Sequence, residues 1–224
     1  MKRDPLKATV LATRYIPNAT QKMVQDLITA GGIIEYDPQR HRSLALLTAD
    51  CDDVTYTALD EATKKADVDV IYARSFYAGA ANANTKLAGE ILGVLAGPNP
   101  AEARAGLEAA VDFIENEAHF VSANEDNTIV YYAHCISRTG SYLSEGAGIA
   151  EGEALAYLIA PPLEAMYGVD AALKAADVSM CVLYAPPSET NFGGALLTGT
   201  QSACKAACEA FAAAVEFVAD NPIE

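Results

Sequence analysis

The chain repeats itself. Asp60-Glu61-Ala62-Thr63-Lys64-Lys65-Ala66-Asp67-Val68 aligns with Asp170-Ala171-Ala172-Leu173-Lys174-Ala175-Ala176-Asp177-Val178, at an offset of 110 residues. Further on, Val111-Asp112-Phe113-Ile114 aligns with Val215-Glu216-Phe217-Val218, at an offset of 104. Two matches in the same order argue for a duplicated unit rather than a chance likeness of alanine-rich helices. A duplicated chain folds as the same module twice, so 224 residues become two domains of about 110, an ordinary domain size. The division is expected at 1–115 and 116–224. The fall in offset from 110 to 104 places about six extra residues in the first copy, between Arg74 and Glu90, against Tyr184 to Gly194. Both stretches are rich in Gly, Pro, Asn and Ser, which favour turns. Matched positions with unmatched lengths read as mobile loops on a shared scaffold.

Periodicity fills in the module. Thr9 to Ile16, Val68 to Ser75, Ile129 to Ser137 and Ser179 to Tyr184 have the Val/Ile/Tyr content of strands, and Asn124-Glu125-Asp126-Asn127 reads as a hairpin turn. Pro100 at a first helical position opens a helix to about Glu115, with Leu107, Ala110, Val111 and Ile114 on its buried face. Ser202 to Val218 is the equivalent helix, burying Phe211, Val215 and Val218. The fold class is α/β in two like units.

Composition narrows the function. Asp plus Glu number 30 against 15 Lys plus Arg, a net charge of −15 that repels a phosphate backbone or an anionic membrane surface. Nucleic acid and membranes are therefore not expected partners, while a cationic or neutral one is. With 51% apolar residues the chain is too hydrophobic for a disordered coil. The longest apolar run, Ala154 to Leu163, is half of a bilayer span and contains two prolines. Met1 to Pro5 has no apolar segment behind it, and five scattered cysteines suit a reducing compartment, so a soluble cytoplasmic protein is expected.

No P-loop, HExxH pair or GxSxG elbow is present, and Gly146 to Gly152 has the wrong spacing for a dinucleotide loop. His134 and Cys135 are adjacent on a strand, hence on opposite faces, which disfavours a nucleophilic pair. Cys204 and Cys208, at i and i+4, share a helix face; structural packing is favoured over a metal. Asp50, Asp52 and Asp53 cluster before Thr55 to Ala66, either as a solvated helix cap or as a cation pocket. No catalytic or metal-ligating residue is assigned. By its residues alone the chain is a soluble duplicated α/β protein without a catalytic constellation, and an enzyme using the acidic cluster and a soluble ligand sensor stay open as readings.

Several segments match a known family in their wording. Asp53-Val54-Thr55-Tyr56, Arg74-Ser75-Phe76-Tyr77-Ala78-Gly79-Ala80-Ala81, Gly97-Pro98-Asn99-Pro100-Ala101-Glu102 and Ser137-Arg138-Thr139-Gly140-Ser141-Tyr142-Leu143 carry the first part of it. Ala160-Pro161-Pro162-Leu163-Glu164-Ala165, Pro187-Ser188-Glu189-Thr190-Asn191 and Gln201-Ser202-Ala203-Cys204-Lys205-Ala206-Ala207-Cys208 carry the second. From about Ser43 to the C-terminus the chain resembles the EutL family of ethanolamine-utilisation microcompartment shell proteins. Gln21 to Arg42 depart from that pattern, and no role is carried onto them.

The resemblance implies two tandem, circularly permuted bacterial microcompartment (BMC) domains, each a small antiparallel sheet with flanking helices. It implies a structural protein, not an enzyme: a homotrimer forming a flat pseudohexamer, tiled with other shell proteins in a cytoplasmic microcompartment. A gated central pore is implied, with smaller pores, one in each subunit, that bind ethanolamine. By resemblance the small-pore ligands are Asp52, Glu90, Thr190 and the backbone carbonyl of Phe120. The pore-loop candidates are Arg74, Phe76, Tyr77, Asn82, Asn84, Pro187 and Ser188, with Tyr77 to Asn84 expected to move between closed and open states. No catalytic cofactor is implied; cobalamin is a possible bulky cargo or ligand of the central pore.

Overall fold

Seven-residue runs rich in Leu, Val, Ile, Ala and Tyr form most of the strands, and the alanine-rich helices are Pro100–Asn116, Pro162–Ala175 and Gln201–Asp220. The computed structural model describes residues 3–76, 89–186 and 191–223. In chain order the elements are β1 (Pro5–Lys7), β2 (Val10–Ile16), α1 (Gln21–Gly31), β3 (Ser43–Ala49), α2 (Asp52–Lys65), β4 (Asp69–Ser75), β5 (Ile91–Gly97) and α3 (Pro100–Asn116). They continue with β6 (His119–Ser122), β7 (Val130–Ile136), α4 (Ser141–Ala147), β8 (Ala154–Ala160), α5 (Pro162–Ala175), β9 (Val178–Tyr184), β10 (Gly193–Gly199) and α6 (Gln201–Asp220). The chain separates into two compact units that interleave in sequence. The N unit is Ala8–Ala118 with Gly140–Gly146; the C unit is Met1–Lys7, His119–Thr139 and Ala147–Glu224.

The N unit holds a four-stranded antiparallel sheet in the order β2-β3-β5-β4. Helices α2 and α3 pack together and against it, and α1 packs on the edge strand β4. A Cβ on Gly31 would lie 2.4 Å from the Ile71 carbonyl oxygen, so only glycine lets α1 end this close to the strand. The C unit holds six strands in the order β1-β6-β7-β8-β10-β9, and its last four repeat the N-unit order. Its core joins Leu158 and Leu197 of the sheet to Val169, Phe211 and Val215 of α5 and α6. Asn124 to Asn127 turn between β6 and β7, with Asn127 at φ 59°. Among the described residues no helix is long and apolar enough to cross a membrane.

Strand register aligns the two modules. Leu95 pairs with Val70 as Leu197 pairs with Met180, so β4 and β9 are offset by 110 residues and β5 and β10 by 102. The first copy therefore carries eight extra residues between these strands, more than the six expected. The remaining difference lies in the final helices. Their N-caps, Asn99 and Thr200, are offset by 101, and so are their buried faces. Ala103, Gly106, Ala110, Phe113 and Ile114 are buried in α3; Cys204, Ala207, Phe211, Ala214 and Val215 are buried in α6. The offset of 104 is one turn out of register, a slip the 3.6-residue helical period conceals. The buried face of α3 is also rotated from the expected one. Leu107 and Val111 are only half-buried, because Gly106 admits Val68 to within 2.9 Å of where its Cβ would stand. Val218 is likewise half-buried.

Candidate functional site

The acidic cluster straddles the turn from β3 into α2. Cys51 is the N-cap residue and makes no side-chain cap, so Asp52 and Asp53 lie inside the first helical turn, where free N–H groups and the helix dipole favour anions. Both are buried, which corrects the reading of a solvated cap. Asp50 is exposed and turns aside, accepting from the Thr9 N–H at 2.6 Å. Among the described residues no group of three His, Cys, Asp or Glu could hold a metal ion, so the trio is not a metal site.

Asp52 is satisfied by its neighbours. One oxygen accepts from the Asp53 N–H at 2.9 Å and the other from the Ser75 hydroxyl at 2.6 Å. Tyr56, one turn further along α2, accepts from the Ser75 N–H at 2.9 Å and lies 2.7 Å from the Ser75 hydroxyl. Because Ser75 Oγ donates to Asp52, the Tyr56 hydroxyl donates to Ser75. The result is an ordered relay from Tyr56 through Ser75 to Asp52. Burial pushes the Tyr56 hydroxyl above its ordinary value, which keeps it a donor.

Glu90 completes the acidic group from the far side of the β4–β5 loop. Its N–H donates to the Ala49 carbonyl at 2.8 Å and its carbonyl accepts from the Phe76 N–H at 3.0 Å. The loop base is therefore clamped beside Asp52. Partial burial, then the charges of Asp52 and Asp50, raise the Glu90 carboxyl above the usual range. Crowded carboxylates of this kind favour a cation beside them. The Cys51 thiol is pushed far up by burial and by Asp53, so it is no nucleophile.

The structure thus brings Asp52 and Glu90 together within the N unit. Phe120 lies in the C unit on β6, its ring stacked on Tyr132 at 5.3 Å and tilted against Phe192 at 6.2 Å. Thr190, Tyr77, Asn82, Asn84, Pro187 and Ser188 lie outside the described residues. Arg74 is exposed, and its guanidinium donates to the Ala30 carbonyl at 3.0 Å near the end of α1; Phe76 is half-buried. Sequence reasoning missed Ser75 and Tyr56. The i, i+4 spacing of Asp52 and Tyr56 was the one local signal for them.

The other candidates are structural. His134 stacks on Tyr132 at 5.4 Å, while Cys135 faces the Gln201 carbonyl on the opposite side of β7. Cys204 and Cys208 are buried in the C-unit core, and burial pushes the Cys204 thiol up to about 11. His41 is buried and accepts the Asp37 N–H through Nδ1 at 3.0 Å, leaving Nε2 to donate to Asp69 at 3.1 Å. Arg40 donates to the same Asp69 oxygen at 2.9 Å. This constellation pins the Asp37–His41 turn to β4.

Comparison with known proteins spans the whole chain. A family profile described as the BMC domain covers residues 43–127. The bacterial microcompartment shell protein EutL of Clostridium perfringens (strain 13 / Type A) is 66% identical over 223 residues, spanning 100% of this chain and 99% of the relative. Residues 21–42, set apart by the sequence reading, are inside that match. The crystal structure of ethanolamine utilization protein EutL from Leptotrichia buccalis C-1013-b is 70% identical, with a TM-score of 0.92 and full coverage of both chains. A trimeric bacterial microcompartment shell protein, PduB, shares the fold at a TM-score of 0.71 and 20% identity, covering 95% of this chain and 89% of that one. The two tandem modules are BMC domains, and identity of this level over the full length means that the chain belongs to the EutL family of bacterial microcompartment shell proteins.

Proposed function

We propose that three copies of this chain close into a pseudohexameric tile in the shell of an ethanolamine-utilisation microcompartment, together with other shell proteins. The observation that carries this reading is the shared strand order of the two units, β2-β3-β5-β4 and β7-β8-β10-β9. Three chains then supply six like modules around one axis. The loops joining β4 to β5 and β9 to β10 occupy matched positions, and so frame one central opening, with the longer loop as its gate.

The small pore is proposed to take ethanolamine at Asp52 and Glu90, with the Phe120 carbonyl and Thr190 completing the site. Ethanolamine is an ammonium carrying one hydroxyl, and two neighbouring carboxylates suit its charge. The Glu90 carboxyl, raised first by partial burial and then by the charges of Asp52 and Asp50, supports this, since a bound cation offsets those charges. Loss of one charged hydrogen-bond partner contributes about 1.5–3 kcal/mol, so Asp52→Asn or Glu90→Gln weakens ethanolamine binding by about tenfold or more. Titration calorimetry on the assembled protein reads this directly, and unchanged affinity in both variants removes the two residues from the site. Light scattering at micromolar concentration tests the assembly; a monomer refutes the tile.

A further inference from the structure

A duplicated fold repeats its faces, and one contact inside the N unit has an unmet copy in the C unit. Helix α4 sits on α2. Asp60 of α2, only 1% exposed, accepts from the Gly140 N–H at 2.7 Å and the Leu143 N–H at 2.8 Å, capping the start of α4. Thr63 accepts from the Ser141 N–H at 3.2 Å, and the Tyr142 ring tilts against Tyr56 at 6.4 Å. Leu143 is 6% exposed.

Register identifies the counterparts. His134 pairs with Tyr157 where Arg14 pairs with Leu46, so β7 corresponds to β2 with an offset of 120. Helices α4 and α1 each begin five residues beyond those strands, which makes Gly140 and Leu143 the counterparts of Thr20 and Met23. The repeat makes Asp170 the counterpart of Asp60. Asp170 itself lies on the open face of its helix. Its side chain is 62% exposed, paired along its own helix with Lys174, and Leu163 and Tyr167 on the same helix are exposed where their counterparts Asp53 and Thr57 are buried. On α1, the N-cap residue Thr20 makes no side-chain cap, and Met23 is 40% exposed.

We propose that α1 of a second copy of this chain docks on α5 as α4 docks on α2. Asp170 accepts from the N–H groups of the second copy's Thr20 and Met23, and Leu163 and Tyr167 cover that Met23. The complementarity is one of charge and shape: an exposed carboxylate meets an uncapped helix N-terminus, and an apolar side chain meets an apolar face. The two faces differ, so the contact is head-to-tail and closes into a ring. This inference rests on the trimer reading and assigns the residues of its seam.

The test is a dilution series followed by analytical ultracentrifugation. Asp170→Ala raises the concentration at which the trimer falls apart by about tenfold or more, the loss expected for hydrogen bonds to a charged group. Asp170→Asn, which keeps an acceptor and caps helices nearly as well, recovers most of the assembly. Tyr167→Glu weakens it as Asp170→Ala does. Lys174→Ala, which removes only an exposed pair within α5, leaves it unchanged. All three substituted positions are exposed, so circular dichroism of the dissociated subunits matches wild type. A wild-type chain that is monomeric throughout overturns the trimer and this inference together. A wild-type trimer that Asp170→Ala and Tyr167→Glu leave as tight overturns the inference alone.

Discussion

Asp60→Ala tests whether the cap on α4 holds the N unit together. The substitution leaves the Gly140 and Leu143 N–H groups, now accepted at 2.7 and 2.8 Å, without partners in a buried setting. Each unsatisfied group costs about 1–3 kcal/mol. Alanine returns about 0.5 kcal/mol as the better helix former. Water entering behind the shorter side chain restores part of the rest, so the net loss expected is about 3 kcal/mol. For a chain of this length that is a fall in Tm of about 6–12 °C, measured at fixed protein concentration because assembly also contributes. The loss is local in origin, so hydrogen exchange speeds up first in 140–147.

The proton linkage at Asp60 gives a second handle. Burial raises its carboxyl above the ordinary 3.8, against the opposing pull of the Gly140 and Leu143 N–H groups. A raised folded pKa means that the stabilisation is fully present below the unfolded value and is lost as pH rises through the folded one. Asp60→Asn removes that titration, and its stability profile is flatter just above about pH 4, at a Tm between wild type and Asp60→Ala. Gly140→Ala is an independent probe of the same seat: its Cβ would stand 2.6 Å from the Asp60 carbonyl oxygen, which is backbone and cannot swing away. Wild-type Tm and wild-type exchange in 140–147 for both Asp60→Ala and Gly140→Ala would refute the reasoning.

Two further outcomes are expected. At Asp69, burial alone would raise the carboxyl, but the His41 and Arg40 hydrogen bonds and charges outweigh it and hold it below 3.8. That stabilisation is present above the ordinary value and is lost as pH falls through the lowered one, so Asp69→Asn loses about 1–3 kcal/mol at pH 7 and has a shallower acid limb below about pH 4 in urea melts; parallel acid limbs count against it. Gly194→Ala places a Cβ 1.8 Å from the Leu158 carbonyl oxygen in the middle of the C-unit sheet, and costs upwards of about 2 kcal/mol or abolishes soluble protein. Gly146→Ala, with nothing within 4 Å of its Cβ, is the neutral control.

What the sequence shows of this fold is what neighbouring residues enforce. Four of the ten strands among the described residues, β2, β4, β7 and β9, and the turn before β7 were legible because strand-forming and turn residues act within a few positions. Pro100 announced α3 for the same reason, and the residue before it, Asn99, caps the helix by accepting from the Ala101 and Glu102 N–H groups. The register of the final helices was not legible: a three-residue slip leaves apolar residues facing the same way, and the deciding residue, Gly106, acts through Val68 from outside the helix. The acidic site was half legible. Three aspartates in four residues read as an exposed cap, yet Asp52 is buried because Ser75, 23 positions away, meets its charge. The seat of α4 is further still from local reading, with 80 residues between Asp60 and Gly140. The repeat nevertheless contains it, because Asp60 and Asp170 are one of six identical pairs in the nine-residue matched segment. A helix needs no aspartate in its middle, where the residue ranks low in helix propensity. Retaining it in both copies is what the proposed seam requires, with Asp60 capping α4 of this chain and Asp170, in the proposal, capping α1 of a neighbouring copy.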